Sequence, residues 1–321
     1  MLLSTLPTFP ETVPLQIAHS DLIARYLANY PPYCDYTFIT LWCWNLKDQV
    51  RLADLNGNLV IRFQDYLDGT LFYSFLGQRQ LNDTLTQLFE QVNTDHVGLP
   101  YLKLIPHHNF LNLDHSQPND SHDQLQKIEL TGYTITVDPD NHDYIYALTE
   151  IANLVGNKYR AIRNQVNQFE RCYPHWQLKI LDLTDANTWQ QLELFNQTWK
   201  QHQQEKANDV SHNLAALRRI RAILDQVPPL TIGLYLDGIL RAYSINELNS
   251  HGYVTCIFEH TDTHYDGIGP WLIRHSAQLL LNKGYQYWNW QQDLGFAGLR
   301  SSKQSYRPWC YLKKYIIAKL N

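Results

Sequence analysis

A chain of 321 residues suggests two domains, and 44% hydrophobic residues are enough for ordinary cores. A formal net charge of -5 argues against whole-surface binding to duplex DNA, although a local basic patch is compatible with it. No run approaches the roughly 20 consecutive apolar residues of a membrane helix.

The N-terminus, "MLLSTLPTFPETVP", has no basic start and is interrupted by prolines, so it does not read as a signal peptide. Cys34, Cys43, Cys172, Cys256 and Cys310 are odd in number and scattered, with no CxxC pair. They point to a reduced, cytoplasmic setting without a disulfide framework, and to no metal centre.

The first half reads as mixed α and β. "VRLADLNGNLVIRF" carries Asn56-Gly57, a hairpin signal, and "GTLFYSFLG" is a further strand. "LNDTLTQLFEQV" is a helix with Asn82 or Asp83 as its cap and Leu85, Leu88, Phe89 and Val92 on one face. "PHHNFLNLDHSQPNDSHDQLQ" holds His107, His108, His115 and His122 without the spacing of a helical metal site, and reads as a solvated loop.

The second half has a clearer order. "EIANLVGNKYRAIRNQVNQFERC" is a helix broken at Gly156. "WQLKILDL" is a strand, Asp185 caps a helix carrying Trp189, Leu192, Phe195 and Trp199, and "NLAALRRIRAILDQV" is a second helix. "LTIGLYL", Asp237-Gly238 and "ILRAYSINEL" make a hairpin, and "GYVTCIFEH" adds a strand. A glycine-rich turn then opens a helix, "YQYWNW" is a strand, "AGLRSSKQ" a short helix and "PWCYLKKYII" a last strand.

This order resembles the GNAT acyltransferase fold. The resemblance implies that Gly267 and Gly269 in "HYDGIGP" present backbone N–H groups to the pyrophosphate of an acyl carrier. The pattern departs from the usual one at His264, and Asp266 and Pro270 are poor company for a phosphate. A turn that merely lets the backbone pack is the competing reading. Lys158, Arg160, Arg163 and Arg171 sit on a helix with Asn164 and Asn167, opposite the apolar stripe Ile162, Val166 and Phe169. Either this is a solvated helix face or it meets the phosphates of a lipid head or an RNA acceptor end. Glu259-His260 is a candidate acid–base pair.

Three stretches, "YTFITLWCW", "LVGNKYRAIRNQVNQF" and "NWQQDLGFAGLRSSKQSYRP", together resemble the phosphatidylglycerol lysyltransferase C-terminal-like proteins. The resemblance implies an α/β (α+β) fold of two tandem GNAT-like domains with mixed central sheets: a degenerate one over 1–145 and one with the transfer cleft over 146–321. It also implies kinship with enzymes that move an aminoacyl group from a charged tRNA to a lipid head group. In such a cleft Asp293 pairs with an ammonium, Lys303 and Arg300 neutralise a carboxylate or phosphate, and Tyr306 donates to a leaving oxygen. The competing reading of Gln292 and Asp293 is helix capping, since an Asp before Leu-Gly-Phe can simply close a turn. Asn289 and Gln292 lie at the strand's mouth, and Lys158, Arg163 and Asn164 complete the substrate-binding set.

The donor is then an aminoacyl-tRNA or an acyl-coenzyme A. The partners are a tRNA acceptor end and a phospholipid head group or small acceptor. The place of work is the cytoplasm or the membrane periphery. Rival readings are a coenzyme-A-dependent N-acetyltransferase and a non-catalytic module that binds a ligand or RNA end.

Overall fold

A computed structural model describes residues 5–65, 68–94, 99–111, 130–202 and 207–320. In chain order the elements are β1 (Val13–Pro14), α1 (Ser20–Leu27), α2 (Phe38–Trp44), β2 (Arg51–Leu55), β3 (Asn58–Gln64), β4 (Leu71–Leu76), α3 (Leu81–Thr94), β5 (Tyr101–Pro106), β6 (Tyr133–Val137) and β7 (Asp143–Ala147). There follow α4 (Leu148–Asn153), α5 (Arg160–Cys172), β8 (Trp176–Leu181), α6 (Ala186–His202), α7 (Ala207–Ile220), β9 (Leu230–Leu236), β10 (Ile239–Leu248) and β11 (Tyr253–Thr261). The chain closes with α8 (Ile268–Asn282), β12 (Tyr287–Asn289), α9 (Ala297–Ser305), β13 (Cys310–Leu312) and β14 (Lys314–Lys319).

These elements form two compact units, each mixing helices and sheet. The first takes Met1–Asp143, Gln292–Phe296 and Cys310–Asn321, and the second Tyr144–Gln291 and Ala297–Trp309. The expected last strand is two strands, β13 and β14, and both belong to the first unit rather than the second.

In the first unit β1 to β4 form one antiparallel sheet in sequence order, and β14 lies between β5 and β6 in another. Asn56 and Gly57 turn the β2–β3 hairpin with φ of 57° and 81°, the left-handed pair that suits two-residue hairpins. Leu85, Leu88, Phe89 and Val92 of α3 are buried against Val60, Phe75, Leu102 and Ile317. Helix α3 starts at Leu81, so neither Asn82 nor Asp83 caps it, and Asp83 instead accepts from Asn56 Nδ2 at 2.8 Å. His107 and His108 are engaged with Tyr315 and Tyr33 through their Nδ1 atoms, while His115 and His122 lie outside the described residues.

The second unit is built on strands in the order β7-β12-β11-β10-β9-β8. Neighbours are antiparallel except β11 and β12, which run parallel. Asp185 accepts from the Thr188 backbone at 2.8 Å and caps α6, and Asp237-Gly238 turns β9 into β10. Helices α4, α5 and α8 bury Ile151, Val166, Phe169, Trp271 and Leu272 with the sheet residues Leu234, Ala242 and Trp288 on one face. On the other face α6 meets the sheet where Asn196 bonds Tyr243. Strand, two helices, antiparallel meander, crossover helix and parallel strand follow one another as the GNAT-like expectation requires.

Candidate functional site

The parallel pairing of β11 with β12 covers only Tyr253↔Tyr287, Val254↔Trp288 and Thr255↔Asn289. Beyond Thr255 strand β11 runs on without a ladder partner in β12, and Glu259, Lys303 and Tyr306 lie within electrostatic reach of one another. Glu259 comes from β11. Lys303 and Tyr306 come from α9 and the residue after it. Tyr144, Tyr146 and Trp290 supply the aromatic wall.

Lys303 is buried, and its ammonium donates to the carbonyl of Trp290 and, at 3.2 Å, to that of Gln291. It also lies 5.5 Å from the centre of the Tyr144 ring. Tyr146 Oη donates to the Lys303 carbonyl at 2.7 Å, and Tyr159 Oη to that of Tyr306 at 3.2 Å, so two tyrosines pin the end of α9. Trp290 stands edge-on to Tyr306 with ring centres 5.0 Å apart.

Within this frame Glu259 and Tyr306, together with the enclosed indole N–H of Trp290, lack the hydrogen bonds that hold Lys303 and Tyr146. Among the described residues neither the Glu259 carboxyl nor the Tyr306 hydroxyl makes a hydrogen bond, although Tyr306 is buried and Glu259 half-buried. Burial lifts the Glu259 carboxyl to about 7, against the opposing pull of the Lys303 ammonium. Burial and the Glu259 charge raise the Tyr306 phenol well above its ordinary range, so it stays a donor. A carboxyl balanced between its two protonation states, a phenol and a fixed ammonium can move a proton and stabilise a developing negative charge.

His260 is not the partner of Glu259, because adjacent strand residues point to opposite faces. Its Nδ1 lies 2.8 Å from Asn196 Oδ1 and 2.9 Å from Tyr243 Oη, with the Trp199 ring stacked on it at 4.2 Å. Burial lowers its pKa to about 4.

The other residues singled out from the sequence take several positions. Asn289 is fully buried and accepts the Gln291 N–H at 2.7 Å, and Arg300 is half-buried on α9. Lys158 pairs with Glu150 at 2.7 Å, and Arg163 donates to the carbonyls of Leu154 and Gly156, closing the end of α4. Asn164 lines a shallow exposed hollow with Asn167, Glu170 and Arg171. Asp293 and Gln292 belong to the first unit. Asp293 is buried there and accepts the Gly295 N–H at 2.9 Å, a turn-closing bond.

The glycine turn is used for packing at one end and is open at the other. Gly267 has φ of 83°, and a Cβ there would stand 2.5 Å from the Gln165 carbonyl oxygen. At Gly269 a Cβ would meet nothing nearer than 4.0 Å. The Ile268 N–H bonds Tyr265, the Trp271 N–H bonds Gly267, and Pro270 has none. Among the described residues the N–H groups of Asp266, Gly267 and Gly269 make no hydrogen bond, so the turn keeps free donors, with the Asp266 carboxylate beside them.

Gln292 enters a second buried cluster, which sequence reasoning missed entirely. Lys314, fully buried, donates to Asp35 and, at 2.6 Å, to Asp143. Gln292 Nε2 donates to Asp35 at 3.1 Å, and the Cys34 N–H to Asp143 at 2.7 Å. The ligand atoms of Cys34, Asp35 and Asp143 lie within 4.8 Å of one another, but the cation they face is the Lys314 ammonium. Burial works against that charge, and the carboxylates of Asp143 and Asp35 more than offset it, raising Lys314 well above its ordinary range.

The family model of the C-terminal region of phosphatidylglycerol lysyltransferase matches residues 27–318. The chain belongs to this family. It is similar in structure to a conserved protein of unknown function from Bacteroides thetaiotaomicron, with a TM-score of 0.79 and 22% identity over 96% of this chain and 99% of that one. It is also similar to the C-terminal domain of a putative lysylphosphatidylglycerol synthetase from Agrobacterium fabrum, with a TM-score of 0.61 and 12% identity over 95% and 93% of the two chains. A further likeness, to L-PGS from Bacillus licheniformis, has a TM-score of 0.60 and 14% identity over 99% and 95%. At these identities the likenesses speak for the fold.

An uncharacterized protein of Mycoplasmoides gallisepticum is 30% identical over 183 residues, so the match spans about half of each, 54% of this chain and 55% of that relative. The family and its tandem GNAT-like architecture are therefore those expected from the motifs. No helix among the described residues is long and apolar enough to cross a membrane.

Proposed function

We propose that the second unit transfers an acyl or aminoacyl group from an activated ester to an amine or hydroxyl, with Glu259, Lys303 and Tyr306 as the working groups. The observation that carries this reading is a pair of groups without a hydrogen bond among the described residues, the Glu259 carboxyl and the Tyr306 hydroxyl, near an ammonium already fixed by two carbonyls. Neither oxygen is fully enclosed, so both groups are open to an incoming molecule that can bond them. Glu259 takes the proton released by the attacking group. Tyr306 donates to the oxygen that leaves. Lys303 holds positive charge where the tetrahedral intermediate becomes negative.

Membership of the family favours a charged tRNA as donor and a lipid head group as acceptor. The Asp266 carboxylate in the glycine turn and the missing N–H at Pro270 make coenzyme A the weaker candidate, and the acid–base groups Glu259 and Tyr306 weigh against a purely non-catalytic module. Asp293 carries no step in this reading. Arg300, on the same helix as Lys303, is proposed to receive the phosphate or carboxylate of a substrate.

The test is incubation of the purified protein with radiolabelled aminoacyl-tRNA, acetyl-coenzyme A and total lipid, in wild type, Glu259→Gln and Tyr306→Phe forms. Transfer of label from tRNA to lipid or a small acceptor, lost in both variants, is the expected result. Transfer from acetyl-coenzyme A alone selects the acetyltransferase reading. Binding of tRNA or lipid without transfer selects the non-catalytic one.

A further inference from the structure

In an extended strand successive carbonyls point to opposite edges, so two neighbours do not ordinarily serve one cation. The carbonyls of Trp290 and Gln291 do, since both accept the Lys303 ammonium. Their relative direction is set by the backbone of Gln291. Its φ is 60°, in the left-handed region that residues other than glycine seldom enter. Such a conformation persists only where surrounding bonds enforce it.

Those bonds are on both sides of the residue. The Gln291 N–H donates to Asn289 Oδ1 at 2.7 Å, and its carbonyl accepts the Tyr144 N–H at 3.1 Å as well as Lys303. Trp290, just before it, donates its N–H to the Tyr144 carbonyl at 2.9 Å. The Gln291 side chain reaches further. Its Nε2 donates to the Cys256 carbonyl at 2.7 Å, one residue beyond Thr255, where the pairing of β11 with β12 ends. Glu259 stands three residues further along the same strand. The side chain of Gln291 therefore ties the turn that holds Lys303 to the strand that carries Glu259.

From this linkage we propose that Gln291 is a positioning residue of the site. Its left-handed backbone turns two carbonyls onto the Lys303 ammonium. Its amide, anchored on Cys256, sets where that ammonium stands relative to the Glu259 carboxyl. Gln291 acts through Lys303 and carries no proton itself. The inference rests on the transfer reading for its effect on rate, while its effect on Glu259 stands without it.

A loosened ammonium has a consequence of definite sign. Burial lifts the Glu259 carboxyl, and Lys303 is the charge that opposes the lift. Cys256 and Tyr306, the other titratable groups within its reach, are both raised and so stay protonated and neutral. Drawing Lys303 away therefore raises Glu259 further.

The test is a carbon-13 NMR titration of the glutamate side chains in the full chain, with the Glu259 signal identified by its loss in Glu259→Gln. Gln291→Met keeps the length of the side chain and removes its donor. Gln291→Gly also removes the donor and suits a left-handed φ. Expected is a Glu259 midpoint higher by about half a pH unit or more in both variants. Gly267→Ala, which strains the turn before α8, should leave that midpoint in place. An unchanged midpoint in either Gln291 variant that folds, or an equal shift in Gly267→Ala, overturns the inference.

A second arm follows transfer in wild type and Gln291→Met with whichever donor the wild type accepts. The pH of half-maximal rate should move up together with the Glu259 midpoint. A rate profile that stays in place while the midpoint moves removes Glu259 as the base, and the transfer reading with it, and leaves the positioning of Lys303 standing. A wild type that uses no donor at all fails the transfer reading, and the titration then decides the role of Gln291 on its own.

Discussion

Each unit buries a charged cluster, and the two clusters are finished to different degrees. In the first unit Lys314 meets two carboxylates, one of which also takes a side-chain amide and the other a main-chain N–H. In the second unit Lys303 is held by carbonyls while Glu259 and Tyr306 beside it have no hydrogen bond among the described residues. A cluster whose bonds are complete specifies a fold. A cluster left open at two acid–base groups is suited to an incoming molecule. Burial of charge alone does not separate the two cases; the hydrogen-bond inventory does.

The largest effect expected from this contrast is at Lys314. Lys314→Met leaves Asp35 and Asp143 buried without their cation and should destabilise the protein by about 3–5 kcal/mol in denaturant titration. An unchanged midpoint would remove the structural reading of that cluster. Glu259→Gln should do the reverse, leaving the thermal midpoint unchanged or raised while transfer falls by about 10²–10⁴-fold. With Glu259 lifted to about 7, the wild-type rate should climb as pH rises through that value, since the base must be ionised.

Titration separates two neighbours on β11. His260 is lowered to about 4 from 6.5, so its contribution to stability is present above 6.5 and is lost as pH falls toward 4. The slope should approach about 1.4 kcal/mol per pH unit and flatten in His260→Gln. Glu259 has the opposite sign. Raised from 4.5 to about 7, its contribution is present below 4.5 and lost as pH rises through 7, and Glu259→Gln should remove that decline.

The smallest pair of effects lies in the glycine turn. Gly267→Ala sets a Cβ against the Gln165 carbonyl at a left-handed φ and should cost about 1–3 kcal/mol. Gly269→Ala has open space and should be neutral or stabilising by up to about 1 kcal/mol. Equal costs at the two positions would mean that the turn's use in packing is misplaced.

The amino-acid sequence by itself determined the hairpin turns at Asn56-Gly57 and Asp237-Gly238, the apolar stripes of α3 and α5, the Asp185 cap, the GNAT-like order and the family. These depend on neighbours within a few residues or on motifs of unbroken sequence. Lys303 and Tyr306 were legible for the same reason, since one motif contains both. Glu259 was visible only as half of a pair with His260, because which face of β11 meets Lys303 and Tyr306 is decided only when the sheet and α9 pack together.

The tertiary structure alone decided that Lys314 meets Asp143 and Asp35, across separations of 171 and 279 residues. It alone assigned residues 292–296 and 310–321 to the first unit, and it alone left Glu259 and Tyr306 without a hydrogen bond among the described residues. The physical reason is that desolvation and hydrogen-bond completeness belong to the packed interior, where every partner comes from a distant part of the chain, and no local pattern encodes which groups will be left over.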